Sequence, residues 1–566
     1  MGLLQAAKWH YSSTHYERSP AQIKSEERLV PGVPFNRYFL MPAAVLIQVC
    51  CGSLYAWSGF NLPIERAIYG PDLSAKKVAI DRGLASNVFF VAVAVFGCTA
   101  ALLGPWLERN GPRKGAMIGS TLFFIGNLVT ALGVHVQSLA LVFVGYGGIA
   151  GAGLGISYIS PVSPLQKWFP DLRGLAAGLA VCGFGAGSIF SPFTQKALIG
   201  PDYANTGEEN LGVPKTFIIL GACYFVVMMA ASLVLRMPPP GYAVKGMDIH
   251  TVKGAESFGI VAPTKTLSDS DAALDKSESH HTVVAVPDHD RLTAANFSLR
   301  LHEALASREY ILMYLMFLCN EATGLLIISK IQSITQNQMG QTADTAASIN
   351  SALGGCNLAG RLLIPTLSDF LGRRKPLFFV SLCAQTLFLA LLPGAIDNQQ
   401  YGLFLTCAFI IAFFYGAGFG LIPAFLSDQF GSRNVGATHG VILTGWAAVS
   451  VCGGLVFNAV YKSEVTRLAP VITQTYDLNF RWLLAFTSFG ITVTLLVPTG
   501  LRDRRLPRKS GEWFRFRFFA RLVRVINGVP RVTSKADEDA EWSEYLARLQ
   551  PATQAAEGNE IYGAAR

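Results

Sequence analysis

The stretch ERNGPRK at residues 108–114 has a counterpart 261 positions later, DFLGRRK at residues 369–375. Both copies place an acid, two further residues, a glycine, one residue and then two bases in the same order. Each copy lies in a short gap between two long apolar segments. A duplication with this spacing predicts two similar helical bundles joined end to end, an arrangement typical of secondary transporters.

The composition of the chain indicates that lipid, rather than water, surrounds much of it. Of its 566 residues, 51% are hydrophobic and only 15% are charged, and the mean hydropathy is +0.37. Soluble domains carry about 25% charged residues, and about 20 consecutive apolar residues span a bilayer as a helix. The net charge of +9 is concentrated beside apolar segments and in residues 502–524. We therefore expect this charge to contact the membrane surface rather than nucleic acid.

Apolar segments separated by turn-forming or charged gaps predict an all-α membrane protein with twelve transmembrane helices in two pseudo-symmetric six-helix bundles. The predicted spans are 40–60, 84–103, 115–133, 139–160, 173–193, 215–236, 310–331, 346–367, 376–394, 401–425, 437–460 and 482–500. Helices four and ten carry a second repeat, GAGLG at 151–155 and GAGFG at 416–420. Glycines inside apolar spans allow helices to approach closely, which supports the two-bundle interpretation.

The predicted organisation has five parts. They are a cytoplasmic N-terminal tail at 1–38, a six-helix bundle at 39–236, a flexible cytoplasmic linker at 237–306, a second six-helix bundle at 307–500 and a basic cytoplasmic tail at 501–566. Both tails are assigned to the cytoplasm because residues 1–38 contain five Lys and Arg residues and residues 502–524 contain nine. The plasma membrane is the expected location, and an organelle membrane is the alternative.

Within the basic tail, residues 513–526 are predicted to form an amphipathic helix. On such a helix Arg517, Arg521 and Arg524 share one narrow sector, and apolar residues occupy the adjoining face. The apolar face would enter the acyl boundary of the membrane while the arginines contact anionic lipid headgroups. A helix that binds a protein partner is the alternative.

The duplicated loops resemble the loop signature of the major facilitator superfamily, Gly-x-x-x-Asp-Arg-x-Gly-Arg-Arg. The first copy departs from this signature at Glu108 and Pro112. Three other stretches are similar to the oxalate/formate antiporter branch, which is related to the monocarboxylate porters: GSLYAWSGF at 52–60, KWFPDLRG at 167–174 and NLAGR at 357–361. The resemblance covers residues 36–500 and implies the major facilitator fold.

The resemblance also implies that charged residues at the helix ends act as a cytoplasmic gate. The candidates are Glu108, Arg113, Lys114, Asp369, Arg373 and Arg374. Pairs between these acids and bases would hold the two bundles together when the carrier faces outward, and breaking the pairs would let the bundles rock apart. The alternative is that the bases only fix the orientation of the chain in the membrane.

Arg361 is the leading candidate for binding a substrate. It precedes Asp369 by eight residues, which places it about 12 Å into the membrane at 1.5 Å per residue. An intramembrane charge costs about 2.5–3.5 kcal/mol on insertion scales, so it is a functional candidate by default. A guanidinium can bind a carboxylate through two parallel hydrogen bonds, and the resemblance implies the same role. A structural ion pair without substrate contact is the alternative.

Glu321 in helix seven is expected near Arg361, because it lies about 16 Å deep by the same rise per residue. We predict that Glu321 is a proton-coupling residue. Its protonation would release Arg361, so that a proton and a carboxylate move together. A permanent salt bridge between the two residues is the alternative.

Aromatic residues are further candidates for substrate binding on the basis of the resemblance. They are Tyr55, Trp57, Tyr158, Tyr415 and Trp446, and for each of them simple packing is the alternative. The dicarboxylate exchanger of the branch carries a second base in helix eleven, whereas residues 437–460 contain no Lys or Arg. One buried cation neutralises one carboxylate. This favours a monocarboxylate over oxalate, unless His439 or Lys330 reaches the cavity.

The expected function is secondary active transport of a small organic anion by alternating access, coupled to protons or by exchange. We expect a monomer without cofactor, metal, nucleic-acid partner or enzymatic activity, because the sequence has no nucleophile–base constellation, Cys-x-x-Cys pair or nucleotide-binding loop. One alternative is a carrier of the same fold for a sugar, drug or zwitterion. Another is a membrane sensor that binds a solute without transporting it.

Overall fold

Twelve long helices dominate the computed structural model, which describes residues 2–12, 16–69, 84–199, 212–253, 299–468, 474–518, 521–545 and 547–548. In chain order, α1 to α12 are Arg37–Ala56, Leu84–Asn110, Pro112–His135, Leu139–Trp168, Arg173–Ile199, Gly212–Ser232, Arg308–Asn337, Ala343–Leu371, Lys375–Asp397, Tyr401–Phe430, Val435–Leu468 and Asp477–Leu496. A separate helix, Ser58–Tyr69, follows α1. Each predicted span overlaps one of the twelve helices, so the predicted fold class is confirmed.

Eleven of these twelve helices are long and apolar enough to cross a membrane. The remaining one, α8, is 29 residues long. Its hydropathy is reduced by polar residues that include Asn350, Asn357 and Arg361. The one helix of the twelve that is not apolar enough by this measure is therefore the helix that carries the candidate substrate-binding arginine.

The first six helices contact the last six through two equivalent helix pairs, α2 with α11 and α5 with α8. The duplicated glycine stretches bring two further helices close to these pairs. A Cβ atom on Gly155 of α4 would lie 2.4 Å from the Phe96 carbonyl oxygen of α2. A Cβ atom on Gly420 of α10 would lie 2.4 Å from the Arg361 carbonyl oxygen of α8. Only glycine fits at these two positions, so both stretches permit the same close helix contact.

The predicted amphipathic helix at 513–526 is wrong, because this part of the tail forms an antiparallel sheet. Two short strands near the N-terminus are β1 (Arg28–Val30) and β2 (Val33–Pro34), and the tail contains β3 (Glu512–Phe518), β4 (Arg521–Ile526) and β5 (Val529–Thr533). Phe and Arg alternate in FRFRF at 514–518, which is the two-residue period of a strand. Asn527 and Gly528 connect β4 to β5 with φ values of 50° and 80°. This two-residue Asn-Gly turn favours a hairpin.

Two of the arginines that were predicted to contact lipid headgroups instead form ion pairs within the tail. Arg517 Nη2 lies 2.5 Å from Asp503 Oδ1 and 2.6 Å from Glu538 Oε1. Arg524 Nη2 lies 2.5 Å from Glu541 Oε2. These pairs attach the sheet to the segment after α12 and to a following helix at 535–545. The prediction failed because the spacing of Arg517, Arg521 and Arg524 also fits one sector of a helix, whereas the chain forms strands here.

Residues 237–253, the first of two described parts of the predicted flexible linker, make specific contacts with both sets of helices. The Tyr242 hydroxyl donates to the Trp168 carbonyl at 3.2 Å. The Ile249 carbonyl accepts a hydrogen bond from the Ser432 N–H at 2.9 Å. Most of the remaining linker lies outside the described residues. Contacts of this kind were not predicted, because a polar segment without apolar periodicity gives no signal for them.

Candidate functional site

Arg361, on α8, is completely buried between the two sets of helices. Its Nε donates to Asn357 Oδ1 at 2.8 Å, one turn earlier on the same helix, and its Nη1 donates to the Val181 carbonyl of α5 at 3.4 Å. The guanidinium carbon lies 4.2 Å from the ring centre of Phe419 and 5.2 Å from that of Phe184, which are cation–π distances. Nη2 has no hydrogen-bond partner among the described residues. One part of the guanidinium therefore remains available to an acceptor.

Glu321, on α7, is also completely buried, and neither of its carboxylate oxygens accepts a hydrogen bond from any residue that the structure describes. Glu321 and Arg361 are close enough for their charges to interact, but they are not in hydrogen-bonding contact. The alternative of a permanent salt bridge is therefore not realised in this conformation. Because an ionised carboxylate without a partner is costly inside a membrane protein, the geometry fits a protonated Glu321.

Four of the five predicted aromatic residues surround Arg361. The Tyr55 and Tyr415 hydroxyl groups share a hydrogen bond of 2.6 Å. Trp446 Nε1 donates to the same Tyr415 hydroxyl at 3.1 Å. Tyr158 packs edge-on against Phe184, one of the two rings that contact the guanidinium. The central cluster is defined by Arg361 together with these four aromatic residues, Tyr55, Tyr158, Tyr415 and Trp446.

Trp57, the fifth predicted aromatic residue, lies in a different group of side chains. Its Nε1 donates to the Ala85 carbonyl at 2.9 Å. Its ring centre lies 4.3 Å from that of Tyr146, and both of these partners belong to the first six helices. The position of Trp57 therefore favours the packing alternative over contact with a substrate.

His439, on α11, joins the central cluster, although it was not predicted as a site residue. It is completely buried, and its ring stacks on that of Tyr158 with centres 5.9 Å apart. Both ring nitrogens of His439 and the Tyr158 hydroxyl lack hydrogen-bond partners within the described chain. Folded proteins satisfy about 90% or more of their buried polar groups. The concentration of unsatisfied groups here indicates a site for a polar ligand, and the available signal was a lone base in an apolar helix.

The acids of the two duplicated loops each bind the beginning of a helix from the opposite half of the chain. Glu108, at the end of α2, accepts a hydrogen bond of 2.7 Å from the Gly436 N–H, at the start of α11. Asp369, near the end of α8, accepts hydrogen bonds of 2.8 Å from the N–H groups of Gly174 and Leu175, at the start of α5. The first N–H groups of a helix are free and carry partial positive charge, so a carboxylate stabilises them. The two contacts are equivalent and join the two halves.

Asp428, at the end of α10, connects the second loop to the first half of the chain. Arg374 Nε donates to Asp428 at 2.7 Å, and Arg374 Nη2 donates to Asp369 at 3.0 Å. Arg173, the first residue of α5, also donates to Asp428, at 3.3 Å. Arg173 and Asp428 were not among the predicted gating residues. Arg173 could have been predicted from the sequence, because it belongs to the stretch KWFPDLRG at 167–174.

Three of the six predicted gating residues take no part in these contacts. Arg113, Lys114 and Arg373 form no ion pair with other described residues, and Lys114 and Arg373 are exposed. The base that pairs with Glu108 is instead Lys167, on α4. The positions of the three unpaired bases fit the alternative in which they only orient the chain in the membrane.

The central cluster provides one permanent cation, several hydrogen-bond donors and aromatic walls. Arg361 and Tyr415 are 0% exposed, and Tyr158 and Trp446 are 1% exposed, so the cluster is closed to solvent in this conformation. Within the described ranges, no group of three or more His, Cys, Asp or Glu residues is placed to hold a metal ion. The arrangement can bind a small anion, and a ligand can enter only if the surrounding helices separate.

The chain is similar to several known proteins. A profile of the Major Facilitator Superfamily matches residues 35–454 and again 310–526. The oxalate:formate antiporter of Oxalobacter formigenes is 24% identical over 493 residues, which cover 85% of this chain and 96% of the antiporter. Apicoplast pyruvate carrier 1 of Toxoplasma gondii is 26% identical over 465 residues, which cover 72% of this chain and 80% of the carrier.

A solved structure shows the same fold. It is the proton:xylose symporter XylE bound to 6-bromo-6-deoxy-D-glucose, with a TM-score of 0.58 and 15% sequence identity. The alignment covers 82% of this chain and 96% of the symporter chain. At this identity the likeness concerns the arrangement of the helices and not the solute.

Proposed function

Because the chain belongs to the Major Facilitator Superfamily and is one of its transporters, we propose that it carries a small monocarboxylate by alternating access. The observation that supports this most directly is the unpaired Nη2 of Arg361 inside the closed central cluster. A carboxylate placed there gains a charge-assisted hydrogen bond in a dry environment. The names of two relatives, a pyruvate carrier and an oxalate:formate antiporter, point to solutes of the same chemical class.

The charge balance of the central cluster favours one carboxylate per substrate. Arg361 is its permanent cation, whereas His439 can be neutral. A second carboxylate would remain unpaired among Phe184, Phe419 and Trp446, and burying an unpaired charge is costly. Formate, lactate and pyruvate satisfy this condition, whereas oxalate requires a proton on His439.

Glu321 supports coupling of transport to a proton. It is buried near Arg361 without a hydrogen-bond partner among the residues that the structure describes, and there it can remain protonated while Arg361 binds a substrate carboxylate. On loss of its proton, the negative charge of Glu321 would compete with the substrate for Arg361. Release of the proton and of the substrate would then occur together. Exchange of one anion for another is the alternative mode, in which Glu321 keeps its proton throughout.

In this proposal the contacts of Glu108 and Asp369 with helix beginnings form the gate on the cytoplasmic side. The conformation described has this gate closed. Transport requires that both contacts break, so that the two halves rock apart and expose the central cluster. We place both termini in the cytoplasm, because of the bases in the tails, and we propose that the monomer is the transporting unit.

Counterflow into proteoliposomes tests the proposed substrate class. Liposomes that contain the purified full chain and an excess of unlabelled pyruvate should accumulate labelled pyruvate, lactate or formate, and accumulate oxalate less. A matched set with labelled xylose tests the sugar alternative. Accumulation of xylose without any monocarboxylate would overturn the proposal, and binding of pyruvate without counterflow would favour a sensor.

A further inference from the structure

A cavity of about 370 Å³ lies beside the gate, separate from the central cluster. Phe379 of α9, Phe425 and Asp428 of α10 and Leu495 of α12 line it, together with four other parts of the described chain. They are the second duplicated loop at 372–376, Lys253 at the end of the described linker, the segment 499–503 after α12, and residues of the C-terminal sheet and helix. This volume is in the range of small-molecule sites, which is about 300–1,000 Å³.

The side chains that line this cavity carry an excess of positive charge. The lining bases are Lys253, Arg373, Arg374, Lys375, Arg502, Arg517 and Lys535, and the lining acids are Asp428, Asp503 and Glu538. Seven bases therefore face three acids. A concave surface with one dominant sign of charge raises the local concentration of counter-ions. The cavity should consequently attract anions.

The three acids are already engaged by bases of the protein. Asp428 pairs with Arg374, and both Asp503 and Glu538 pair with Arg517. The Lys375 ammonium donates to the carbonyl groups of Leu495 and Arg517 at 2.7 Å and 2.9 Å, and it forms no direct ion pair with an acid in the described part of the chain.

Arg373 and Lys535 line the same cavity, but neither is paired with an acid in the described part of the chain. Both are exposed, and neither makes an ion pair or side-chain hydrogen bond with another residue in the described part of the chain. They come from different parts of the chain, Arg373 from the second duplicated loop and Lys535 from the helix at 535–545. A ligand that binds both side chains would connect the helix at 535–545 to the second duplicated loop.

We propose that this cavity binds a phosphate monoester, either on a soluble metabolite or on the headgroup of an anionic phospholipid. A phosphate monoester carries about −1.5 to −2 charges and several acceptor oxygens, which suits clustered Arg and Lys side chains better than a single carboxylate does. The Phe379 and Phe518 rings, with centres 6.3 Å apart, provide an apolar wall for the uncharged part of the ligand. The ligand fastens the C-terminal sheet to the loop that carries Arg374.

Thermal unfolding of the purified full chain tests the proposal with two probes. Inositol 1,4,5-trisphosphate in detergent represents the soluble source, and nanodiscs of phosphatidylcholine with or without phosphatidylinositol 4,5-bisphosphate represent the lipid source. We expect one probe to raise the unfolding temperature in a saturable way, with an effect that decreases as salt is added. Stabilisation by the soluble probe indicates a metabolite, and stabilisation by the lipid alone indicates a headgroup.

The double variant Arg373→Glu/Lys535→Glu should bind the effective probe at least about tenfold more weakly, because two cations are reversed. Both side chains are exposed, so the variant should fold. Lys114→Glu/Arg521→Glu is the matched control, because it reverses two exposed bases that do not line the cavity. The proposal is overturned if neither probe stabilises the wild type, or if both double variants lose binding equally.

Discussion

The hydroxyl oxygens of Tyr55 and Tyr415 lie 2.6 Å apart, although 360 residues separate them in the chain. Their hydrogen bond joins α1 to α10 within the central cluster, next to the guanidinium of Arg361. Trp446 donates to the same Tyr415 hydroxyl. Because Tyr55 and Tyr415 belong to opposite halves of a transporter, their bond must break, or be bridged by a substrate, when the halves separate.

We predict that Tyr415→Phe weakens monocarboxylate transport more than Tyr55→Phe does. Loss of the Tyr415 hydroxyl leaves the buried Trp446 N–H without an acceptor, at a cost of about 1–3 kcal/mol. Tyr55→Phe preserves the bond between Trp446 and Tyr415. The measurement is the KM for pyruvate counterflow, with Tyr146→Phe as a control from the separate aromatic group around Trp57. Equal KM values for Tyr55→Phe and Tyr415→Phe would contradict the prediction.

Glu321→Gln should abolish the dependence of uptake on a proton gradient while leaving exchange of labelled for unlabelled pyruvate intact. Glutamine resembles a permanently protonated Glu321, so it cannot release a proton or compete for Arg361. Uptake is measured with and without an imposed pH gradient. Glu309→Gln, near the start of the same helix, is the control. A Glu321→Gln protein that retains full gradient dependence would remove the coupling hypothesis.

Asp369→Asn should loosen the closed gate. An amide oxygen can still accept a hydrogen bond, but it lacks the charge that stabilises the beginning of α5, an effect of about 0.3–2 kcal/mol. We expect the amides of Gly174 and Leu175 to exchange with deuterium up to about 30-fold faster, the factor that corresponds to 2 kcal/mol. Lys114→Gln is the control, because Lys114 is exposed and forms no ion pair with the described residues. Equal exchange in the two variants would show that Asp369 does not hold the gate.

The contribution of the Asp503–Arg517 pair to the attachment of the C-terminal sheet should depend on pH only under acidic conditions. Burial alone would raise the pKa of Asp503, but hydrogen bonds from Arg517 and Thr499 outweigh burial and hold this pKa below its usual range. Stabilisation from such a carboxylate is present above its unfolded pKa of about 3.9 and is lost as the pH falls through the lower folded pKa. The difference in deuterium exchange of β3 between the wild type and a variant without the Asp503 carboxylate should therefore be constant from about pH 5 to 8.

A variant without the Asp503 carboxylate tests the same ion pair at constant pH. Asp503→Asn should increase exchange in β3 at neutral pH, because Arg517 loses an ion-pair partner. Asp537→Asn, an exposed position at the start of the helix at 535–545, is the control. The prediction is contradicted if the difference in β3 protection between the wild type and Asp503→Asn shrinks from pH 8 to pH 5, or if Asp503→Asn and Asp537→Asn show the same protection.

The sequence predicts the parts of this molecule that depend on periodicity along one chain segment. The twelve helices follow from apolar length, and the equivalence of Glu108 and Asp369 follows from the duplicated loop. The burial of Arg361 and Glu321 follows from their distance along the helix. Whether Arg361 and Glu321 form a salt bridge depends on how α7 and α8 are rotated about their axes. The hydropathy of the sequence does not predict this rotation.

Other features required knowledge of packing between distant segments. Asp428 lies at the end of an apolar helix, and only the fold brings Arg173 and Arg374 to it. His439 reaches the central cluster because the packing of α11 places its ring against Tyr158, which the sequence alone does not show. The tail was misassigned because its arginines also fit a helical sector. The Asn-Gly turn after Ile526 was the stronger local signal.

The most direct test of the central claim is counterflow of labelled pyruvate by Arg361→Gln in proteoliposomes, with Arg361→Lys measured alongside. Gel filtration of the purified variants first establishes that both remain monodisperse. Without the guanidinium, we expect transport to fall at least about 100-fold, which corresponds to about 3 kcal/mol for a charge-assisted pair. Lysine should restore part of it, because it supplies the charge without the planar pair of donors. Transport by Arg361→Gln at the wild-type rate would contradict the claim that this arginine binds the substrate.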